Sequence, residues 1–439
     1  MSSSVQTIAK RSVGFLLGMS SLMLGANLVW IADNTILLPA LVEKVVYSSR
    51  GLVVGLIGFV GTLLAVLVSI LWGIISDHTS SHLGKRTPAI LIGSLLALPL
   101  IVLPVLMLYP GVKTIFLPIA LPIIIISFLG MQFFTNVGNG AWWPLLVDVV
   151  PENQRGLTSG IVGFFTLLGA IIAFLVVTSL NQAGHTAAAL WLIGGVFALT
   201  GVVNALVLHG KDQPAPASER ISIWRAMVEL FKVKRRIAVF FWLVGAVLLA
   251  NMGLNSLQAF ARYFFEVYFP AISPDAGLRL MGSVSLVLTM LSAVGTGLLS
   301  DKIGRRALLL WSMFACALGT LLMGLTGNFN LFLVFVALRS IATGPIMAIA
   351  PALASDLAPR DEAGRYMAYN NLSTGLSGAL SALVFGILLT NLTRTSFMYL
   401  FIISAALFFA GGVVFSAKVS QAALQKRFDA VAQEASQSA

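Results

Sequence analysis

The chain has 439 residues, of which 58% are apolar and 10% charged. Soluble proteins carry about 25% charged residues, so a water-soluble fold of this length is excluded. The formal charge of +11 does not mark a nucleic-acid binder, because the basic residues lie in short breaks between long apolar runs with no basic domain to hold a duplex.

The apolar runs fall near 13–42, 51–75, 88–109, 117–147, 157–180, 188–208, 237–264, 279–300, 306–327, 330–354, 366–390 and 396–417. Each reaches the ~20 residues needed to cross about 30 Å of hydrocarbon. They predict an all-α integral membrane protein of twelve transmembrane helices, numbered here 1 to 12. Ten-residue alternating segments, the mark of a membrane β-barrel, do not occur. The first run is too long for a signal-peptide core and lacks a clear cleavage site, so it is expected to be retained. Cys316 is the single cysteine; it can form no internal disulfide and no cysteine pair can hold zinc. His78, His82, His185 and His209 sit in loops or at helix ends without metal spacing, and no cofactor is expected.

Most of the 27 Lys and Arg lie at the termini and in the loops after the even-numbered helices. The opposite loops hold Lys44, Arg50, Lys113, Arg262, Arg279 and Arg394, and Arg339 falls inside helix 10. The positive-inside rule then places both termini in the cytoplasm, in a cell membrane and, for a bacterial chain, the inner one.

The longest polar stretch, Gly210–Arg236, reads as a cytoplasmic linker whose 221–231 piece is patterned as an amphipathic surface helix. It separates an N-terminal bundle (1–209) from a C-terminal bundle (237–417) and a cytoplasmic tail (418–439). The two halves repeat each other. Gly73-Ile-Ile-Ser-Asp77, followed later by Gly84-Lys85-Arg86, comes after helix 2; Gly297-Leu-Leu-Ser-Asp301-Lys302-Ile-Gly304-Arg305-Arg306 comes after helix 8. Asp148-Val-Val-Pro151 with Gly156 follows helix 4; Asp356-Leu-Ala-Pro359 with Gly364 follows helix 10. Two parallel six-helix repeats imply two pseudo-symmetric bundles with a site near the membrane midplane.

The 297–306 loop resembles the signature loop of the major facilitator superfamily. The stretched first copy, Ser76-Asp77-His78-Thr79-Ser80-Ser81-His82-Leu83-Gly84-Lys85-Arg86-Thr87-Pro88, is similar to that of sucrose-transporter-like proteins and glycoside–pentoside–hexuronide:cation symporters. Leu146 to Gly160 is similar to their loop after helix 4, whereas His78 and Ser80 stand where that subgroup carries basic residues. The resemblance implies a transporter working by alternating access, with the repeated loops latching the halves on the inner side. The expected cytoplasmic gate is Gly73, Asp77, Lys85, Arg86, Asp148 and Arg155 in the first half. In the second half it is Gly297, Asp301, Arg305, Arg306, Asp356 and Arg365. Physically, the glycines permit close helix approach, and each aspartate can face a neighbouring helix N-terminus, where negative charge gains about 0.3–1 kcal/mol.

Polar residues at membrane depth are costly, so they face protein or a cavity. Asn251, Asn255, Gln258 and Arg262 on helix 7 share one helical face, as do Gln132, Asn136, Asn139 and Trp143 on helix 4. Helix 1 adds Asn27 and Asn34 with Trp30 beside them, and helix 11 adds Asn370, Thr374 and Ser377. These amides are expected to line a wet cavity for a small polar solute; interhelical hydrogen bonds are the plainer alternative. Trp142 and Trp143 read as aromatic-belt residues. Two charges lie deep, Asp33 in helix 1 and Arg339 in helix 10, with Gly344-Pro345 placed to loosen the latter. Asp33 and Arg339 are expected to form a coupling switch that joins and separates with proton uptake, Arg339 also touching solute.

The function expected is proton-coupled symport of a small polar solute, a sugar or glycoside, by a monomer. Sodium stays open as coupling ion, although helix 2 has no clear pair of sodium-site aspartates. A proton-coupled exporter of drugs or metabolites is the alternative, and a membrane-embedded enzyme a remote one. No Gly-x-x-x-x-Gly-Lys-Ser/Thr loop is present to use ATP.

Overall fold

The computed structural model describes residues 10–108, 117–214, 228, 232, 236–359 and 362–426, with 117, 297, 298, 301 and 363 described by backbone alone. The amphipathic helix expected at 221–231 lies almost wholly outside the described residues, as does most of the tail. Among the described residues all regular structure is helical, and twelve helices are long and apolar enough to cross a membrane. They are α1 Val13–Glu43, α2 Arg50–Asp77, α3 Thr87–Met107, α4 Ala120–Asp148, α5 Glu152–Gln182 and α6 Thr186–Leu208. The second six are α7 Ala238–Asn255, α8 Pro274–Ile303, α9 Arg305–Leu325, α10 Phe329–Leu357, α11 Ala363–Leu388 and α12 Arg394–Lys418.

The chain divides into two compact units, Met1–Val45 with Leu63–Met227, and Val46–Thr62 with Val228–Ala439. The first half of α2 therefore packs with the second unit, which the linker at 210–236 does not announce.

In the first unit, buried Trp142 joins α4 to α1 by donating from Nε1 to the Met19 carbonyl at 2.8 Å. Asn204 of α6 donates to the same carbonyl. Trp142 is thus a bolt between helices and not a belt residue, whereas Trp143 is exposed. The α2–α4 crossing is tight at Gly140, where an added Cβ would strike the Ser69 carbonyl. At Gly73, by contrast, a Cβ would make only ordinary contact, 3.6 Å from the Gly140 carbonyl, so the close approach expected at Gly73 belongs to its partner helix.

Proline sets the irregularities. Pro39 has no N–H to give the Thr35 carbonyl, and its ring would crowd that turn. α1 accommodates this by widening to a π-helix over Ala32–Leu37, the stretch that carries Asp33. In α3, Pro104 frees the Leu100 carbonyl, which Ser127 of α4 takes at 2.7 Å. The second unit uses the same device. Pro345 frees the Ile341 carbonyl, and Ser292 of α8 takes it at 2.5 Å. α10 runs unbroken through both Pro345 and Pro351; the loosening expected at Gly344-Pro345 is absent because a neighbouring hydroxyl replaces the lost donor.

The break falls instead in α7, which the sequence predicts as continuous to residue 264. Regular helix stops at Asn255, turns occupy 256–260, and a short helix, Ala261–Tyr268, follows. Ser256 donates to the Gly253 carbonyl at 2.8 Å, a local bond that competes with the helical ladder. Beyond the break, Phe264 packs within a cluster that includes Phe332, Phe397 and Phe401. In the same unit the start of α2 meets α11 with glycine on both sides. A Cβ on Gly55 would fall 2.5 Å from the Gly386 Cα, and one on Gly386 would meet Gly55 as closely. Arg50, at the head of α2, pairs with Glu266 at 3.0 Å and lies over the Tyr263 ring.

Candidate functional site

The repeated loops are built alike. Gly84 and Gly304 both hold positive φ, +104° and +89°, the left-handed region that excludes most side chains. The basic residue after each glycine pairs with the carboxylate at the end of the fourth helix of its own half. Lys85 reaches Asp148 at 2.9 Å, and Arg305 reaches Asp356 at 2.5 Å. The sequence recurrence is thus a recurrent ion pair, with each glycine turning the backbone so that the next side chain points back at the acid.

The second basic residue breaks the likeness. Arg86 is buried, 3% exposed as a side chain, and collects the whole end of α2. It pairs with Asp77, contacts Asp148 at 3.2 Å, and donates from Nη1 to the Ser76 hydroxyl at 2.6 Å and the Gly73 carbonyl at 3.1 Å. Gly73 therefore contributes an acceptor here. Arg306 turns elsewhere, capping the end of α12 through the Val419 carbonyl at 2.6 Å and the Ser416 carbonyl at 3.1 Å. Gly297 and Asp301 are described by backbone alone. Arg155 opens the regular helix of α5, its Nε buried without a hydrogen-bond partner, and Arg365 is half-buried in the first turn of α11.

The polar residues at membrane depth divide into those satisfied by their own helix and those left over. Asn34 donates to the Trp30 carbonyl at 2.8 Å and Asn136 to the Gln132 carbonyl at 2.8 Å. Thr374 donates to the Asn370 carbonyl at 3.1 Å. Gln132 is buried, Trp30 is exposed, and Asn251, Asn255 and Asn370 are half-buried. Gln258 sits in the turns that end α7, its N–H on the Asn255 carbonyl, so the single helical face expected for 251–262 stops at Asn255. Arg262 lies past the break and pairs with Asp275 at 3.1 Å.

Three amides stand apart. The side-chain carbonyl oxygens of Asn27, Asn139 and Asn204, all in the first unit, are buried with no hydrogen-bond partner. An orphaned buried acceptor costs about 1–3 kcal/mol, a cost that a ligand donor or an ordered water would remove. Asp33 is buried on the π-helical stretch of α1 and makes no ion pair or hydrogen bond among the described residues. Arg339 packs on α9, where a Cβ on Gly319 would lie 3.2 Å from its own, and its Nε is buried without a partner. Among the described residues no group of His, Cys, Asp or Glu could hold a metal.

The Major Facilitator Superfamily model matches the chain over residues 13–296 and again over 254–437. A probable 4-methylmuconolactone transporter from Cupriavidus pinatubonensis is 26% identical over 144 residues, 32% of this chain and 34% of that relative; the match thus spans about a third of the relative's length. Among solved structures, a point variant of the nucleoside transporter NupG matches with TM-score 0.71 at 15% identity, covering 92% of this chain and 100% of that one. A bacterial homologue of the lysosomal transporter Spinster, in an inward-facing and unoccupied conformation, matches with TM-score 0.69 at 14% identity, covering 93% and 99%. At such identities the likeness to these structures is one of fold.

Proposed function

The chain belongs to the Major Facilitator Superfamily and is a membrane transporter, not an enzyme, and from that premise we propose that it carries a small polyhydroxylated solute, a sugar or glycoside, by proton-coupled alternating access. The observation that carries this reading is the pair of orphaned acceptors on Asn27 and Asn139. Lone acceptors call for a ligand that donates, and hydroxyl groups are donors that a neutral sugar presents on every side. Gln132, Asn136, Asn251, Asn255 and Asn370 are further amides able to donate and accept, and the exposed face of Trp30 suits a sugar ring. The resemblance of the 76–88 loop to glycoside symporters points the same way.

Asp33, a buried carboxylate without an ion-pair partner among the described residues, is the proposed proton carrier, and Arg339 the charge that answers it during the cycle. The cluster around Arg86 acts as a latch at the cytoplasmic face, and the basic loops support a cytoplasmic position for both termini.

A second reading, transport of a small organic acid, is favoured by the unpaired Nε of Arg339 and by the lactone transporter among the relatives. A carboxylate would satisfy the guanidinium but could not donate to Asn27 or Asn139. Uptake into proteoliposomes under imposed proton or sodium gradients, against sugars, glycosides and lactone carboxylates, tests both. Accumulation of a glycoside driven by an inward proton gradient is expected. Accumulation of carboxylates alone would overturn the sugar assignment, and a response only to sodium would overturn the proton.

A further inference from the structure

The first residues after α6 do more than connect. Asp212, four residues past Leu208 and read from sequence only as part of a linker, is buried against the start of α3. Its Oδ2 accepts from the Arg86 N–H at 2.8 Å, from the Thr87 N–H at 2.8 Å and from the Thr87 hydroxyl at 2.9 Å. Thr87 and Pro88 open α3, so this carboxylate from a remote part of the chain serves as its N-terminal cap, where negative charge is also favoured by the helix dipole. The fit is close. Any side chain on Gly84 would collide with Asp212, so Gly84 is needed for this contact as well as for its positive φ.

The capped residue is Arg86 itself. Its backbone N–H is held by Asp212 while its guanidinium holds Asp77, Asp148, Ser76 and the Gly73 carbonyl. Asp212 makes no hydrogen bond or ion pair with the guanidinium, so the carboxylate acts on the latch through the backbone. Among the described residues the second unit shows no such arrangement at its matching loop. There Arg306 points to the end of α12, and the Arg305–Asp356 pair is half-exposed.

We propose that Asp212 is a positioning residue of the latch: by capping α3 it fixes the backbone from which Arg86 reaches Asp77 and Asp148, tying the start of the linker to the cytoplasmic gate. The proposal rests on the reading of the Arg86 cluster as a latch. Displacement of the linker away from α6 withdraws the cap and frees Arg86, so the linker becomes an input to the transport cycle.

The test needs no solute. In full-length protein with Cys316→Ala, nitroxides are attached after Leu157→Cys and Ile303→Cys, both exposed positions, and the distance distribution is measured by pulsed electron resonance in nanodiscs. Arg86→Ala should redistribute the populations, and Asp212→Ala should shift them in the same direction. Asp212→Asn, which keeps a neutral acceptor in place of a stronger charged one, should shift them less. Asp212→Ala added to Arg86→Ala should change nothing further. Hydrogen exchange at the Arg86 and Thr87 amides should quicken in Asp212→Ala by about fivefold, the size of a lost cap.

If Arg86→Ala shifts the distribution and Asp212→Ala does not, the positioning role is overturned while the latch survives. If Arg86→Ala is itself silent, the latch reading fails and takes this proposal with it. Should Asp212→Ala not fold, Asp212→Asn carries the test, and populations equal to the parent's overturn the proposal.

Discussion

An unpaired carbonyl oxygen inside a membrane helix is a debt that nothing in lipid can settle, and Asn27 and Asn139 each hold one. Replacing either with Leu removes the orphan together with any contact to solute. Thermal stability of Asn27→Leu and Asn139→Leu should therefore stay level or rise. KM should increase about tenfold, the equivalent of one hydrogen bond worth 1.4 kcal/mol. Unchanged KM in both variants, measured by solute uptake, would make these amides structural. Asp33 is tested differently, since its proposed work is coupling. Asp33→Asn should retain downhill exchange and lose accumulation against a gradient. Concentrative uptake with its pH dependence intact in that variant would move the proton site elsewhere.

At the scale of elements, two prolines reach outside their own helices for a donor. Pro345 strips the Ile341 carbonyl of its intrahelical partner, and Ser292 of α8 supplies the replacement. Ser292→Ala should lower the melting temperature, with a cost near the average of about 0.6 kcal/mol for interhelical bonds in membranes and at most ~1.7. In a Pro345→Ala background the restored N–H satisfies the carbonyl, so Ser292→Ala should then be nearly neutral. Additive losses in that double-mutant cycle would refute the exchange of partners. Sequence alone makes the twelve apolar spans legible, because hydrocarbon thickness fixes their length, and it also exposes the repeated loops. It does not disclose that α10 survives its prolines while α7 breaks without one. Those outcomes depend on hydroxyls at Ser292 and Ser256, one brought by another helix and one competing locally. The site was legible as residue types, less so as faces. Helical spacing groups Asn251 with Gln258 and Arg262, but the turns at 256–260 end that face, and Arg262 pairs with Asp275 beyond them. Asp212 left no mark at all, since a lone aspartate in a polar stretch looks like solvent-facing linker.

For the molecule as a whole, the duplicated loops share a motif and differ in structure, and the difference sets what each can do. The Arg305–Asp356 pair is roughly half-exposed on both sides, a class of contact worth about 0–1 kcal/mol. Arg86 is buried while Asp77 and Asp148 around it keep contact with solvent, so losing one partner costs more than an exposed pair and less than the about 3–5 kcal/mol of a fully buried one. A latch that alternates must be strong enough to hold one state and weak enough to release it, and in the proposed cycle that demand falls on the first unit. Asp77, half-exposed at the rim of the cluster, is the partner most easily removed without unfolding the rest. Asp77→Ala should slow turnover strongly and leave KM within a few fold, because the carboxylate lies at the loop end of α2, whereas Asn27 and Asn139 lie within the spans of α1 and α4. Asp356→Ala should slow it much less, since only an exposed pair is lost. Uptake rates and KM values for the two variants, side by side in proteoliposomes, decide the matter. Equal slowing would mean that the two loops share the work, and a collapse of KM in Asp77→Ala would mean that the end of α2 belongs to the solute site and not to a gate.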